Sequence, residues 1–166
     1  VMLRPGLTLA AVILLADQAS KFFMLEILRL PEVRHIPLLA LGPFGFDLTM
    51  VWNRGVTFGM LAADHPWSQF ALAAVALLIA GFLLRWMARA ENRATALALG
   101  AVIGGAVGNV IDRVRFGAVA DFFDAHAWGW HWYVFNVADA AIVIGVLTLV
   151  LDALFRPSAA AKGSSP

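Results

Sequence analysis

Over most of this chain, apolar residues run on instead of alternating. A membrane-spanning helix needs about 20 consecutive, mostly apolar residues. Four stretches meet that need: residues 7–28, 68–86, 95–111 and 136–154. Ser68, two residues after Pro66, is placed to cap the second. Between the first two spans the pattern changes. In FDLTMVWN, Phe46, Leu48, Met50 and Trp52 fall on one side, and Asp47, Thr49 and Asn53 on the other. Alternation of this kind predicts a strand, with a turn near Asn53-Arg54-Gly55. The second outer segment, 114–135, is dense in aromatics: Phe116, Phe122, Phe123, Trp128, Trp130, Trp132, Tyr133 and Phe135. Aromatic rings settle at the headgroup level of a bilayer, so this segment reads as an aromatic belt.

The expected fold class is therefore an integral membrane protein, mainly α. Four transmembrane helices form a single domain over residues 1–155. A small β-rich cradle lies at 31–66, between helices one and two, with an aromatic loop at 114–135. Residues 156–166 read as a disordered tail. Composition agrees: 61% of the 166 residues are hydrophobic and 14% charged, against roughly 25% charged in soluble domains. A net charge of +1 supplies no basic stripe for nucleic acid. With no cysteine, thiol nucleophiles and disulfides are excluded. The first apolar stretch, preceded by Arg4, is too long for a signal-peptide core and reads as a retained helix.

Charge also sets the orientation. The link between spans two and three carries Arg85, Arg89 and Arg93, and the ends carry Arg4, Arg156 and Lys162. Arg29, Arg34, Arg54 and Arg115 oppose them. The positive-inside rule makes both termini cytoplasmic.

Polar groups inside a bilayer are costly, so each is a functional hypothesis. Span one holds Asp17 and Lys21, four apart on one helix face. At 1.5 Å per residue, Asp17 lies about 18 Å from the cytoplasmic start near Pro5, and Asn109 of span three about 21 Å in. Asp112 and Arg113 close span three, Asn136 caps span four, and Asp139 lies one turn below it. Three helices thus bring their polar residues to one outer layer. Gly100, Gly104 and Gly108 form a small-residue stripe that admits a neighbouring backbone.

Asp17, Asp112, Asp121, Asp124 and Asp139 are the acids of that layer. Two adjacent carboxyls share one proton, and such a pair can activate water against a carbonyl and protonate a leaving amine. Spacing alone does not say which two meet. No H-E-x-x-H is present, so zincin chemistry has no motif. His35, His65, His126 and His131 lack ligand spacing and read as interfacial or hydrogen-bonded residues. Ser20 and Lys21, about 100° apart on a helix, make a poor dyad.

Five segments now resemble one family. They are DQASK (Asp17–Lys21), NRGVTFG (Asn53–Gly59), GGAVGNVIDR (Gly104–Arg113) followed by VADFF (Val119–Phe123), and FNVADAAI (Phe135–Ile142). In order and placement they resemble the lipoprotein signal peptidases, or signal peptidase II, across nearly the whole chain. Ala120 stands where the family often has a larger apolar residue. The resemblance implies cleavage of prolipoproteins just before a diacylglyceryl-modified cysteine, without metal or cofactor. It implies a bacterial inner-membrane protein whose site lies near the outer face and whose partners are those substrates and membrane lipid. It assigns catalysis to Asp121 and Asp139. Asn53, Asn109, Arg113 and Asn136 would line the site, and Asp17, Lys21 and Asp112 would hold it together. Phe122, Phe123, Trp128 and Trp130 are expected to contact the substrate lipid or close over it. Two readings compete: a small proton- or ion-coupled transporter using Asp17, Lys21 and Asp139, and a membrane adaptor that leaves the buried acids without a purpose.

Overall fold

The structure, a computed structural model, describes residues 2–55 and 67–155. The tail 156–166, Pro66, His65 and the Val56–Gly59 part of the NRGVTFG block lie outside the described residues. Four long helices are present. They are α1 (Leu3–Phe22), α3 (Ser68–Met87), α4 (Arg93–Phe116) and α5 (Val137–Phe155). Each is long and apolar enough to cross a membrane, α1 together with a π turn at Phe23–Ile27 that extends it. The chain is an integral membrane protein, mostly helical, with a small antiparallel sheet at one end.

Helix ends follow local chemistry. Asn92 caps α4, its side-chain oxygen accepting from the Thr95 N–H at 2.7 Å. Gly117 ends that helix in the left-handed conformation, φ 68°, which glycine adopts without steric cost. The second span, α3, begins differently from expectation: Trp67, not Ser68, is the capping residue, and Ser68 is already helical and buried. After the π turn the chain reverses through Arg29 (φ 49°) and the short α2 (Leu30–Val33).

α4 is the hub. It packs against α1, α3 and α5, and 67% of its apolar window is buried, against 17–22% for the others. The remaining helices turn apolar faces outward, with Leu78, Phe82, Ile144 and Leu154 exposed; such a surface is stable only against lipid. Helix approach depends on glycine. A Cβ on Gly104 would lie 2.5 Å from the Ala10 carbonyl oxygen, and one on Gly108 would meet the Asp17 carboxylate. Gly104→Val therefore forces α1 from α4. The expected cost is about 1–3 kcal/mol, the usual range for overpacking, read as a lower unfolding midpoint in detergent.

The sheet runs β1 (His35–Leu41), β2 (Phe44–Asn53), β3 (Val119–Ala127), β4 (Trp130–His131), all antiparallel neighbours. Half of it comes from 114–135, the segment read above as an aromatic loop. The period-2 signal is obscured there because the start of β3 is buried on both faces, Val119 through Phe122 all being covered. A second difference lies in β2. Leu48 pairs with Phe123 but Val51 with Asp121, three residues against two. Such a bulge reverses which side chains share a face. Beyond it Asn53 no longer sits opposite Leu48 in the sense that simple alternation predicts; it turns to Asp121. Phe122 is also not at the lipid surface. It is fully buried with Met24, Leu30 and Leu48, forming the core that seats the sheet on the helix ends.

Candidate active site

Three helices meet beneath the sheet around one buried cation. The Lys21 ammonium lies 2.8 Å from Asp17 Oδ2 and 2.8 Å from Asp112 Oδ2, and all three residues are at most 2% exposed. Both carboxylates also hold backbone. Asp17 Oδ1 accepts from the Ala138 N–H at 3.0 Å, and Asp112 Oδ2, besides meeting Lys21, accepts from the Ala120 N–H at 3.1 Å, while its Oδ1 takes the Gln18 amide at 3.4 Å. Each anchored residue directly precedes an aspartate: Ala138 before Asp139, Ala120 before Asp121. Ser20 donates to the Asp17 carbonyl at 2.7 Å, so it is turned into its own helix and forms no dyad with Lys21.

Above this plug sits the pair. Asn136 is the cap of α5, and Asp139 is the third residue inside it. Asn136 Oδ1 accepts from the Asp139 N–H at 2.9 Å, and Asp139 Oδ2 accepts from the Asn136 N–H at 3.2 Å. This is a reciprocal capping box with aspartate in the place of glutamate. The Asn136 amide also donates to Asp121 Oδ1 at 2.7 Å, while Asn53 donates to Asp121 Oδ2 at 3.0 Å. Asn109 joins plug to pair, accepting from Lys21 at 3.3 Å and donating to Asp139 Oδ1 at 2.8 Å. Arg113 holds its charge near Asp139, Asp121 and Asp112; its Nε is buried without a partner.

Burial and the neighbouring Asp139 charge push the Asp121 carboxyl up to about 7, overcoming the Asn53 and Asn136 hydrogen bonds that favour its ionised form. The other candidate acids are committed elsewhere. Asp112 serves Lys21 and Ala120. Asp124 takes hydrogen bonds from Thr49 at 2.9 Å and engages His131 at 2.9 Å in the sheet. Burial works to raise the Asp124 carboxyl, but the His131 and Thr49 contacts hold it below the usual range. His35 contacts Thr49 and His126 contacts Asp47, so the described histidines are hydrogen-bonded, as expected.

Asp121 and Asp139 line one cleft of ≈ 590 Å³. Asn53 stands on its wall, with Trp52, Trp132, Tyr133 and Val143 supplying apolar surface. Trp128 and Trp130 instead border a separate cleft, where Trp128 packs edge-on to Phe44 at 4.7 Å. Sequence reasoning did not single out Trp52 or Val143. Trp52 was assigned to a strand face, and Val143 has no signal beyond being one helical turn below Asp139.

Fold and site together define a polytopic membrane protein with a carboxylate pair at the sheet end of a four-helix bundle. A family model described as signal peptidase (SPase) II matches residues 9–155. The lipoprotein signal peptidase of Methylobacterium sp. (strain 4-46) is 47% identical over 150 residues, covering 90% of this chain and 88% of that protein. That of Nitrobacter hamburgensis is 41% identical over 162 residues, covering 95% and 96%. The chain belongs to the signal peptidase II family, and is thus a membrane peptidase. A solved bacterial membrane enzyme has a TM-score of 0.75 at 23% identity, covering 97% of this chain and 93% of its own; that likeness carries the fold alone.

Proposed function

We propose that this protein is an aspartyl endopeptidase of the bacterial inner membrane. It removes the signal peptide from diacylglyceryl-modified prolipoproteins, cutting just before the modified cysteine. The observation that carries this reading is the placing of Asp121 and Asp139 on one cleft wall, bridged by Asn136.

The pair works as one titrating unit holding a single proton. Its ionised carboxylate takes a proton from a water as that water adds to the scissile carbonyl carbon. Its protonated carboxyl gives its proton to the carbonyl oxygen. As the tetrahedral intermediate collapses, the C–N bond breaks and the carboxyl that took the water's proton delivers it to the departing amine. The hydroxyl regained from the intermediate returns its proton to the other carboxylate. Asn109 and Asn136 fix the orientation of the two groups, and Arg113 faces the charge that develops on the substrate oxygen. The apolar wall of Trp52, Trp132, Tyr133 and Val143 accommodates acyl chains entering from the bilayer. Arg4, Arg85, Arg89 and Arg93 mark the cytoplasmic end, which sets the pair near the extracytoplasmic face with both termini inside. The transport reading lacks a file of groups through the bundle. Among the described residues, the buried ionisable side chains all lie toward the sheet end, and Asp152 at the opposite end is bonded to Thr95 and Asn92.

The deciding experiment presents the lipid-reconstituted protein with a prolipoprotein bearing the diacylglyceryl group and with the same chain lacking it. Mass analysis should place the cut before the modified cysteine, with the unmodified chain cut at least ~10²-fold more slowly, since remote binding energy is used in catalysis. Equal cleavage of both would remove the lipid from the proposal; no cleavage by folded protein would remove the peptidase.

The pH dependence follows from Asp121. A carboxyl raised to about 7 keeps the proton of the pair up to that pH and loses it above. The cleavage rate should therefore fall through pH 7 and approach a tenfold loss per unit beyond it. A rate still flat at pH 9, measured on enzyme shown to be folded there, would contradict the shared-proton state.

A further inference from the structure

At the end of the bundle opposite the carboxylate pair, α3 carries a stripe that the peptidase reading does not use. Phe82, Arg85, Trp86 and Arg89 follow the i, i+3, i+4, i+7 spacing of one helix face, and the four line a cleft of ≈ 400 Å³. All four are exposed. The position of the stripe is fixed from behind: Met87, fully buried, belongs to the core cluster formed with Ala10, Ala96, Leu99 and Ile103. Arg89 stands in the turn after the helix, its N–H bonded to the Trp86 carbonyl at 2.9 Å. Among the described residues neither guanidinium has an ion-pair or hydrogen-bond partner. Glu91 is the single acid among the three arginines of this connection.

We infer that this cleft binds the headgroup of an anionic glycerophospholipid. Guanidinium groups match phosphate oxygens in a fixed fork geometry. Two of them four residues apart embrace one phosphodiester. The Phe82 ring, one turn toward the bilayer, lies along the first carbons of an acyl chain, and the Trp86 indole sits where such rings prefer to be, at the boundary of apolar and wet layers. The volume falls within the roughly 300–1,000 Å³ of small-molecule sites, ample for a phosphoglycerol group. A soluble phosphate would use the arginines but not the rings; the rings select the lipid. The helix C-terminus adds a partial negative charge, and the paired arginines are what overcome it. This inference rests on the membrane-spanning reading of α3 and is independent of the peptidase chemistry.

The test titrates full-length protein in neutral detergent with phosphatidylglycerol and, separately, with phosphatidylcholine of the same acyl chains. Bound lipid is counted by native mass spectrometry. Wild type should retain phosphatidylglycerol at least about tenfold more tightly, in keeping with a site built on charge. Arg85→Gln with Arg89→Gln should erase that preference while cleavage of the prolipoprotein in detergent stays unchanged. Millimolar inorganic phosphate should not displace the lipid. Equal retention of the two lipids by wild type overturns the inference, as does an intact preference in the double variant. Displacement by phosphate alone would show an anion site without lipid selectivity, which also overturns it. A double variant that does not fold leaves a second reading: brominated phosphatidylglycerol should quench more fluorescence in wild type than in Trp86→Phe, and equal quenching counts against the site.

Discussion

Asp139→Asn and Asp121→Asn are each expected to reduce prolipoprotein cleavage by at least about 10³-fold, within the range that acid–base groups contribute. The effect should fall on kcat, because neither change alters the apolar wall that receives the acyl chains. Asparagine retains one side-chain oxygen, so at position 139 it still accepts from the Asn136 N–H and preserves the capping box; what it loses is the bond from the Asn109 amide and the ability to take and return a proton. At position 121 the amide replaces a carboxyl that accepts from both Asn53 and Asn136, and one of those bonds is lost. Single-turnover cleavage and an unfolding midpoint, measured together, separate chemistry from folding. A folded variant with wild-type turnover would remove that aspartate from the pair.

The second large effect is structural. Lys21→Met leaves Asp17 and Asp112 facing each other with no cation between them. Breaking a buried ion pair by removing one partner costs about 3–5 kcal/mol, and here two carboxylates are stranded. The expected result is a protein that accumulates poorly or unfolds well below the wild type. Neutralising the acids as well, with Asp17→Asn and Asp112→Asn added to Lys21→Met, should recover much of the stability, because amides still accept from the Ala138 and Ala120 N–H groups. Recovery of folding with little recovery of turnover would show that the plug also positions the pair through Asn109. A Lys21→Met protein as stable as wild type would mean that the ion triad contributes nothing to the fold.

The helices were legible because a bilayer imposes a length and a polarity that few other constraints mimic. The expected spans differ from the observed ones by only a few residues at most ends. The outer end of α4 runs on to Phe116, because the strongly polar Asp112-Arg113-Val114-Arg115 turn ends an apolar run without ending a helix. The sheet was half legible. The apolar and polar residues of β2 alternate in sequence from Phe46 to Asn53, although burial follows position along the strand, with Asp47 and Leu48 covered and Val51 to Asn53 exposed. β3 does not alternate, because its first residues are enclosed between the helix ends and β2. Burial on both faces leaves no period-2 contrast to read.

What the sequence determined by itself was the solvent, the number of crossings, the layer in which the polar residues gather and, through its ordered motifs, the family. Each of these depends on residue identity and on distance along a helix, which a linear string records. What only the tertiary structure decided was partnership. Five acids share one layer, and nothing in their spacing says that Asp112 belongs to Lys21, Asp124 to His131 and Thr49, or Asp121 to Asn136 and Asn53. Those pairings depend on a bulge between Leu48 and Val51 that turns Asn53 toward Asp121, and on glycines that let α1 and α5 close onto α4. Both are contacts between segments distant in the chain, and their energies exist only once the backbones have met.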